Sequence, residues 1–562
     1  MAQDVERFFG DISERLRARD YLRLSGNAAG RLGLNYFADG GSGARARNAP
    51  LVWNASASLN ADLLGVQLPF SVAVSSRNTL YNLPSYRFVG ASPTYKWVTL
   101  HGGDRSMTFS PYSLSGTSFR GGGLELRPGK FYLGAFRGRL RRARIQDAGA
   151  IQSGLETGYR RIAQGVKFGF DNGGGSSALV SVFHSTDRRP GTEAPADSSA
   201  LRPEENMVLT FSGGHRFSPL VALSAEYAQS ALTRDLAAPR LSDPGGALNL
   251  FGLFAARTTT ASANAYNGTL TLSPAFGQID LRYERIAPGY RSHGSLFFQN
   301  DLENITTGLR TTLLEGKLSL NTSVGVQRND LRNDQVTNLR RFIGSLNLSY
   351  DFSERTTSTL GLSNFTSTNR FRTLSVDNLL ADSIVLAQTQ FGLDASTTVV
   401  LDEARSRVLL LNGSWQRADL IRNERVDTSQ ASAFGLLMVA YSYQPREARG
   451  ALSASLLLHR NRTPLLTITT LGPNANYRYR VGQAERLTLS ATAGYNFVFS
   501  DFADPNVAGG GTGLLRASVG GALKLTDKQT IDLTATLITA GDSATRPGYS
   551  DGQLNLQYGL SF

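Results

Sequence analysis

Apolar and polar residues alternate along most of this chain with a period of two. Over 485–500, Leu487, Leu489, Ala491, Ala493, Tyr495, Phe497 and Phe499 are separated by Thr488, Ser490, Thr492, Gly494 and Asn496. The segment 341–352 sets Phe342, Leu346, Leu348, Tyr350 and Phe352 against Arg341, Ser345, Asn347, Ser349 and Asp351. The last ten residues, QLNLQYGLSF, keep Leu554, Leu556, Tyr558, Leu560 and Phe562 on one side. Successive side chains leave opposite faces of a strand, so period two predicts strands and not helices. These runs reach about 10–16 residues, against an average of about 5–6 for strands of soluble domains. A tilted strand crosses the hydrocarbon of a bilayer in about 9–11 residues, a length these runs meet.

The connections strengthen that expectation, because short and long ones alternate. Short turns fall at 127–130, 171–175, 217–219, 315–316, 353–355, 401–404, 444–447, 482–485 and 526–529. Longer polar stretches lie near 143–158, 188–206, 235–257, 289–300, 367–384, 421–429, 501–511 and 541–550. Tight turns on one rim and longer loops on the other characterise a transmembrane barrel. Counting back from Phe562 gives ten hairpins between about 119 and 540, two less regular ones near 52–77 and 87–110, and a first strand near 21–37. The expected fold class is all-β: a large closed antiparallel transmembrane β-barrel of about 26 strands (about 22–28) over residues 21–562. Closure satisfies every backbone N–H and C=O between neighbours, and the apolar side of the final strand then faces lipid.

With the pattern of Leu556, Tyr558, Leu560 and Phe562 in place, the chain resembles the Gram-negative outer-membrane β-barrel proteins. In that class the last strand usually carries alternate apolar residues and a terminal aromatic, read by the barrel-assembly machinery. The resemblance implies a bacterial outer-membrane location, lipid around the wall, and that machinery as a partner. It is a likeness to a class, and no functional residue carries over with it. The amino end, Met1-Ala2-Gln3-Asp4-Val5, has neither a basic n-region nor an apolar h-region. A signal peptide is therefore expected to have been removed ahead of Ala2 or Gln3.

Residues 1–20 form the expected second region, a periplasmic segment. Val5, Phe8, Phe9, Ile12 and Leu16 fall on one helical face, with Glu6, Arg7, Glu14, Arg17 and Arg19 elsewhere. A short amphipathic helix capping the rim is the first expectation; a helix inserted in the lumen, or docked on a periplasmic partner, is the alternative. A circular barrel of 26 strands is roughly 50 Å across at the backbone. An empty hole of that width would abolish a permeability barrier. The interior is therefore expected to hold infolded loops, to be flattened, or to take a periplasmic or lipoprotein plug partner.

Composition fits this picture. Mean hydropathy is −0.20, and no run of about 18 apolar residues marks a spanning helix. The chain has no Cys, which removes disulfide and thiolate chemistry and makes a structural zinc site unlikely on chemical grounds. The net charge is +13 and the basic residues are mostly Arg. Arg137, Arg139, Arg141 and Arg142 form the candidate basic feature, placed either on the lumen or on the rim. On the lumen they would favour anions or an acidic polymer; on the rim they would meet lipid phosphates and loop carboxylates.

Other chemistry is thin. His101, Asp104 and Ser106 bring a base, a carboxylate and a hydroxyl close in sequence, but Gly102-Gly103 between them predicts a hairpin turn instead of a hydrolytic site. GGGLELRPGKF (121–131) lacks phosphate-loop spacing, and Phe131 stands where Ser or Thr is required. No catalytic residue, cofactor, metal site or nucleic-acid partner is expected. The aromatic stretch 95–116 suits wall strands under an aromatic girdle, or an infolded constriction. Function is expected to be transport or export through a large bore, alone or as the barrel subunit of a translocation complex. A porin-like channel for small solutes and a structural or adhesive barrel are the alternatives.

Overall fold

The computed structural model describes residues 22–39, 49–63, 66–76, 88–142, 159–173, 175–188, 202–295, 299–335, 337–371, 385–422, 425–445, 448–482, 485–542 and 547–562. The segment 1–20, with its expected helix, lies outside them. All but two of the described strands make one antiparallel sheet that closes on itself: Leu22–Asp39 pairs with Leu51–Leu63 on one side and with Tyr549–Ser561 on the other. One wall strand is split into Phe88–Ala91 and Thr94–Tyr95, both bonded to Val66–Ser75 and to Val98–Ser106. The 27 segments of the sheet therefore form a 26-strand barrel.

Period two sets the faces. Leu22, Leu24, Leu32, Leu34 and Tyr36 are exposed on the outside, as are Leu554, Leu556 and Tyr558 on the closing strand. At the seam Leu556 lies opposite Leu32 and Leu554 opposite Leu34. The inward residues between them are polar; the Arg31 guanidinium donates to Asn555 Oδ1 at 3.0 Å. The final residue is tied by two backbone bonds, Gly26 N–H to Phe562 O at 2.8 Å and Phe562 N–H to Gly26 O at 3.0 Å. A Cβ at Gly26 would collide with the Ser58 carbonyl and crowd the Phe562 ring, so glycine permits the closing contact.

Loop length follows the expected alternation on most of the circuit but not all of it. Thr463 N–H closes directly on Leu466 O at 2.8 Å, and strands Arg407–Arg422 and Arg425–Tyr443 are almost contiguous. Both connections are short although they belong to the long-loop rim, and the second falls where a longer loop was expected near 421–429. The long connections also differ in direction. Residues 107–117 and 287–295 turn into the barrel, while 234–259 folds down over the outside of the wall.

The outside placement of 234–259 follows from register. Ser230 pairs with Val208 and with Ala263, and its hydroxyl bonds inward to Arg291 O at 2.6 Å. Ala231, Met207 and Ser262, one residue along, therefore face out. Leu250 and Phe254 are buried against Ala231 and Met207, which places that loop on the exterior. Phe251 and Leu253, between them, remain 78% and 58% exposed.

Candidate functional site: the buttressed lumen

The site is assembled from two loops and the inner wall behind them. Phe136 is inward and buried, stacked among Phe119 at 4.8 Å, Phe109 at 5.5 Å and Phe183 at 6.3 Å between ring centroids. Phe109 comes from the first loop and the other two from the wall. Gly165 makes room: a Cβ there would lie 2.7 Å from Phe109 Cε2 and 3.0 Å from Phe136 Cε1. A smooth wall position thus accepts a ring from the loop.

The loops also hold each other. Leu114–Ser115 pairs in parallel with Gly294–Ser295. Tyr290 donates to Tyr112 O at 2.8 Å, Ser292 to Ser113 O at 2.5 Å, and Thr117 to Gly294 O at 2.8 Å. The Tyr112 and Tyr290 rings meet edge to face at 6.4 Å. Tyr112 donates onward to Glu284 Oε1 at 2.7 Å and accepts from Asn267 Nδ2 at 2.9 Å. Burial raises both phenols well above their ordinary range, so they stay neutral donors at any physiological pH. Lys167 crosses from the wall to Phe109 O at 2.7 Å, and Ser110 bonds Glu226.

A charged cluster pins the second loop near the rim. The Arg161 guanidinium grips Asp187 at 2.7 and 2.8 Å and reaches Glu204 at 3.1 Å. His293, nearly fully buried, accepts or donates to Ser185 Oγ at 2.8 Å through Nδ1 and to Glu204 Oε2 at 3.2 Å through Nε2. Its backbone N–H donates to Asn206 Oδ1 at 3.1 Å. Desolvation lowers the imidazole to about 4 despite Glu204 beside it. Glu204 is carried to about 2: burial opposes its charge, but His293, Arg161 and Arg291 together outweigh burial.

The inner wall that follows round the circuit, beginning beside the loops on the strand Leu302–Leu313, is bare of such cover among the described residues. Asn321, Asn347, Asp394 and Asn474 face inward yet are exposed. Arg310, Asn321, Asn347, Gly361, Asp394 and Ser414 are direct cross-strand neighbours in one row, the spine of a concavity of about 670 Å³. Buried apolar residues cluster instead at the two inner loops and the wall behind them, with the smaller group under 234–259. Among the described residues, the lumen is therefore filled from one side.

The residues singled out by sequence separate into distinct places. Leu556, Tyr558, Leu560 and Phe562 occupy successive outward positions on the seam. Arg137 and Arg139 are on the face opposite Phe136, so the inward placement considered for them is replaced by an outward one. Phe136 is a buried lumen residue, so its chain neighbours Ala135 and Arg137 leave the outer face. A register shift between Arg161 and Ile162 lets Arg141 turn inward, where it donates to Tyr159 O at 3.1 Å and Asp187 Oδ2 at 3.4 Å. Arg142 lies beside Arg139 and Asp104. The turn expected at Gly102-Gly103 is instead the middle of Val98–Ser106. Three residues apart on a strand, His101 and Asp104 leave opposite faces: His101 meets Ser92 and Glu125, Asp104 meets Arg120. The stretch 95–116 divides, with wall strands to Ser106 and the infolded loop after it. Sequence reasoning missed His293, Asn206 and Tyr290; the 287–295 loop has no periodicity to announce that it turns inward.

A closed antiparallel wall, apolar outside and polar inside, defines a transmembrane β-barrel of the kind found in Gram-negative outer membranes. No family model and no curated protein matches the chain. Similar solved structures include the preacinetobactin receptor BauA of Acinetobacter baumannii, at 10% identity over 96% of this chain and 81% of that one, TM-score 0.38. A mutant of the ferric enterobactin receptor PfeA from Pseudomonas aeruginosa matches at 12% identity over 95% and 80%, TM-score 0.40. The E. coli P pilus tip assembly intermediate PapC-PapD-PapK-PapG matches at 10% identity over 95% and 60%, TM-score 0.45.

Proposed function

We propose that the chain is a large-bore transport barrel of the bacterial outer membrane, a conduit for a bulky polar cargo. One observation carries this reading: 26 strands enclose a lumen whose inner face beyond the two inner loops is polar and uncovered among the described residues. A small-solute pore needs only about 16–18 strands. The row from Arg310 to Ser414 sets a guanidinium, two amides, a carboxylate and a hydroxyl on a concave surface, suited to a hydrated polymer and not to an apolar one. On this reading Leu556, Tyr558, Leu560 and Phe562 serve as the assembly signal, and a periplasmic or lipoprotein partner completes the closure of the lumen.

The test is permeation of neutral dextrans of graded size into liposomes carrying the purified barrel. Passage of polymers roughly 3 nm across is expected from the bore. An exclusion limit at small sugars would overturn the conduit and leave a porin-like channel. That second reading has one observation in its favour, the interlocked loops at Tyr112 and Tyr290, which narrow the lumen from one side.

A further inference from the structure

Along Phe131–Arg141 the outward positions are Phe131, Leu133 and Ala135, then Arg137 and Arg139. Along Leu487–Phe502, counted from the same rim, they remain apolar through seven positions from Leu487 to Phe499. Each outward step climbs about 5 Å on a strand tilted near 40°, so Arg137 enters about 15 Å above Phe131. An apolar band is about 25 Å tall; these guanidiniums therefore stand within it.

They have company. Arg120 is the direct neighbour of Arg139, Arg160 leaves the same face on the next strand, opposite Arg188, and Arg142 is in electrostatic reach of Arg139. Asp104 is the one carboxylate among these outward positions, and Arg120 already holds it at 2.7 Å. The next outward carboxylate, Glu205, is taken by His184 at 2.8 Å. No acceptor among the described residues is hydrogen-bonded to Arg137 or Arg139. Directly below, on the same strands, Leu133, Val166, Phe168 and Phe170 are exposed apolar side chains. Uncompensated guanidinium forks above an apolar slope match a phosphate head over acyl chains.

From this arrangement we infer that the outer wall at Arg120, Arg137, Arg139 and Arg160 is a binding site for a phosphorylated lipid of the long-loop leaflet, whose head groups descend there toward the bilayer centre. The inference shares with the proposed conduit only the membrane location; it needs no transport. Long arginine stems raise the charges toward the head groups, and the lipid phosphates supply the counter-charge that the wall lacks.

The test uses the full barrel in neutral detergent, titrated with micelles doped with a bis-phosphorylated glycolipid, the same glycolipid stripped of phosphate, or inorganic phosphate alone. The expected result is retention and thermal stabilisation by the first probe only. The double variant Arg137→Gln/Arg139→Gln is expected to bind about tenfold more weakly, while Arg478→Gln, on the inner face of Leu466–Val481, leaves binding unchanged. Heat-modifiable electrophoretic mobility verifies that each variant is folded, and Arg160→Gln gives a second, independent reading. Equal retention of the stripped glycolipid, equal binding by the double variant, or stabilisation by inorganic phosphate alone would overturn the inference. So would an acidic protein holding this face in place of lipid when the native complex is isolated.

Discussion

At the residue scale, small side chains decide where large ones can go. Gly165 leaves the space that the Phe109 ring enters. Gly165→Leu is expected to expel Phe109 and loosen 107–117 while the wall stays closed. Protease accessibility of that loop should rise, with heat-modifiable mobility unchanged. Gly26 is the matching case at the seam: Gly26→Val should clash with the Ser58 carbonyl and displace Phe562, lowering the yield of closed barrel and not its loop order. Tyr290 is fully buried and bonded to Tyr112, so Tyr290→Ala should weaken loop docking by about 3–5 kcal/mol, visible as a larger or noisier single-channel conductance. Residue-level roles were the least legible in the sequence. Period two tells that Arg137 and Phe136 face oppositely, but not which is inside. That choice is made by the ring cluster around Phe136, contributed by segments up to 47 positions away (Phe136 to Phe183).

At the scale of elements, the wall was legible and the loops were not. A strand declares itself through local alternation because each residue's neighbours on the two faces are lipid and water. Residues 107–117 and 287–295 are fixed by contacts with each other and with the wall, which no local pattern encodes. Their docking has a pH dependence with a definite sign. The buried imidazole of His293 titrates near 4 when docked, against about 6.5 when free. The docked state therefore gains its full advantage above about pH 6.5 and loses it as pH falls toward 4, up to about 3 kcal/mol. Glu204, held near 2, withdraws its own contribution below about 4.5. Conductance recorded from pH 7 to pH 4 should rise as the loop is released, and His293→Gln should flatten that rise. On the exterior, Phe254→Ala should free 234–259 from the Ala231–Met207 face and expose it to protease without altering conductance.

At the scale of the whole molecule, the barrel is lopsided. One side carries the inner loops, the outer arginines and the folded-down external loop; the other is a tall apolar wall outside and, among the described residues, a bare polar one inside. That division rationalises why one polypeptide can combine a wide bore with partial obstruction. It also sets a measurable asymmetry: cysteines introduced at Asn347 or Asn474 should react with bulky aqueous thiol reagents, while a cysteine at Ser113, fully buried, should not. The strand number was readable from the sequence because turns and strands repeat locally. The lopsidedness was not, since it arises from which loops fold in and which fold out.

The pairing of Leu22–Asp39 with Tyr549–Ser561 has a consequence for biogenesis. A ribbon whose two margins are its first and last strands cannot be sealed until both have been translocated. Until the last stave arrives, both margins offer unpaired amides to any passing strand, and such distant contacts form slowly. The chain thus depends on being kept apart from its own copies during the wait, and loss of even the final few residues should convert a membrane cylinder into an aggregate.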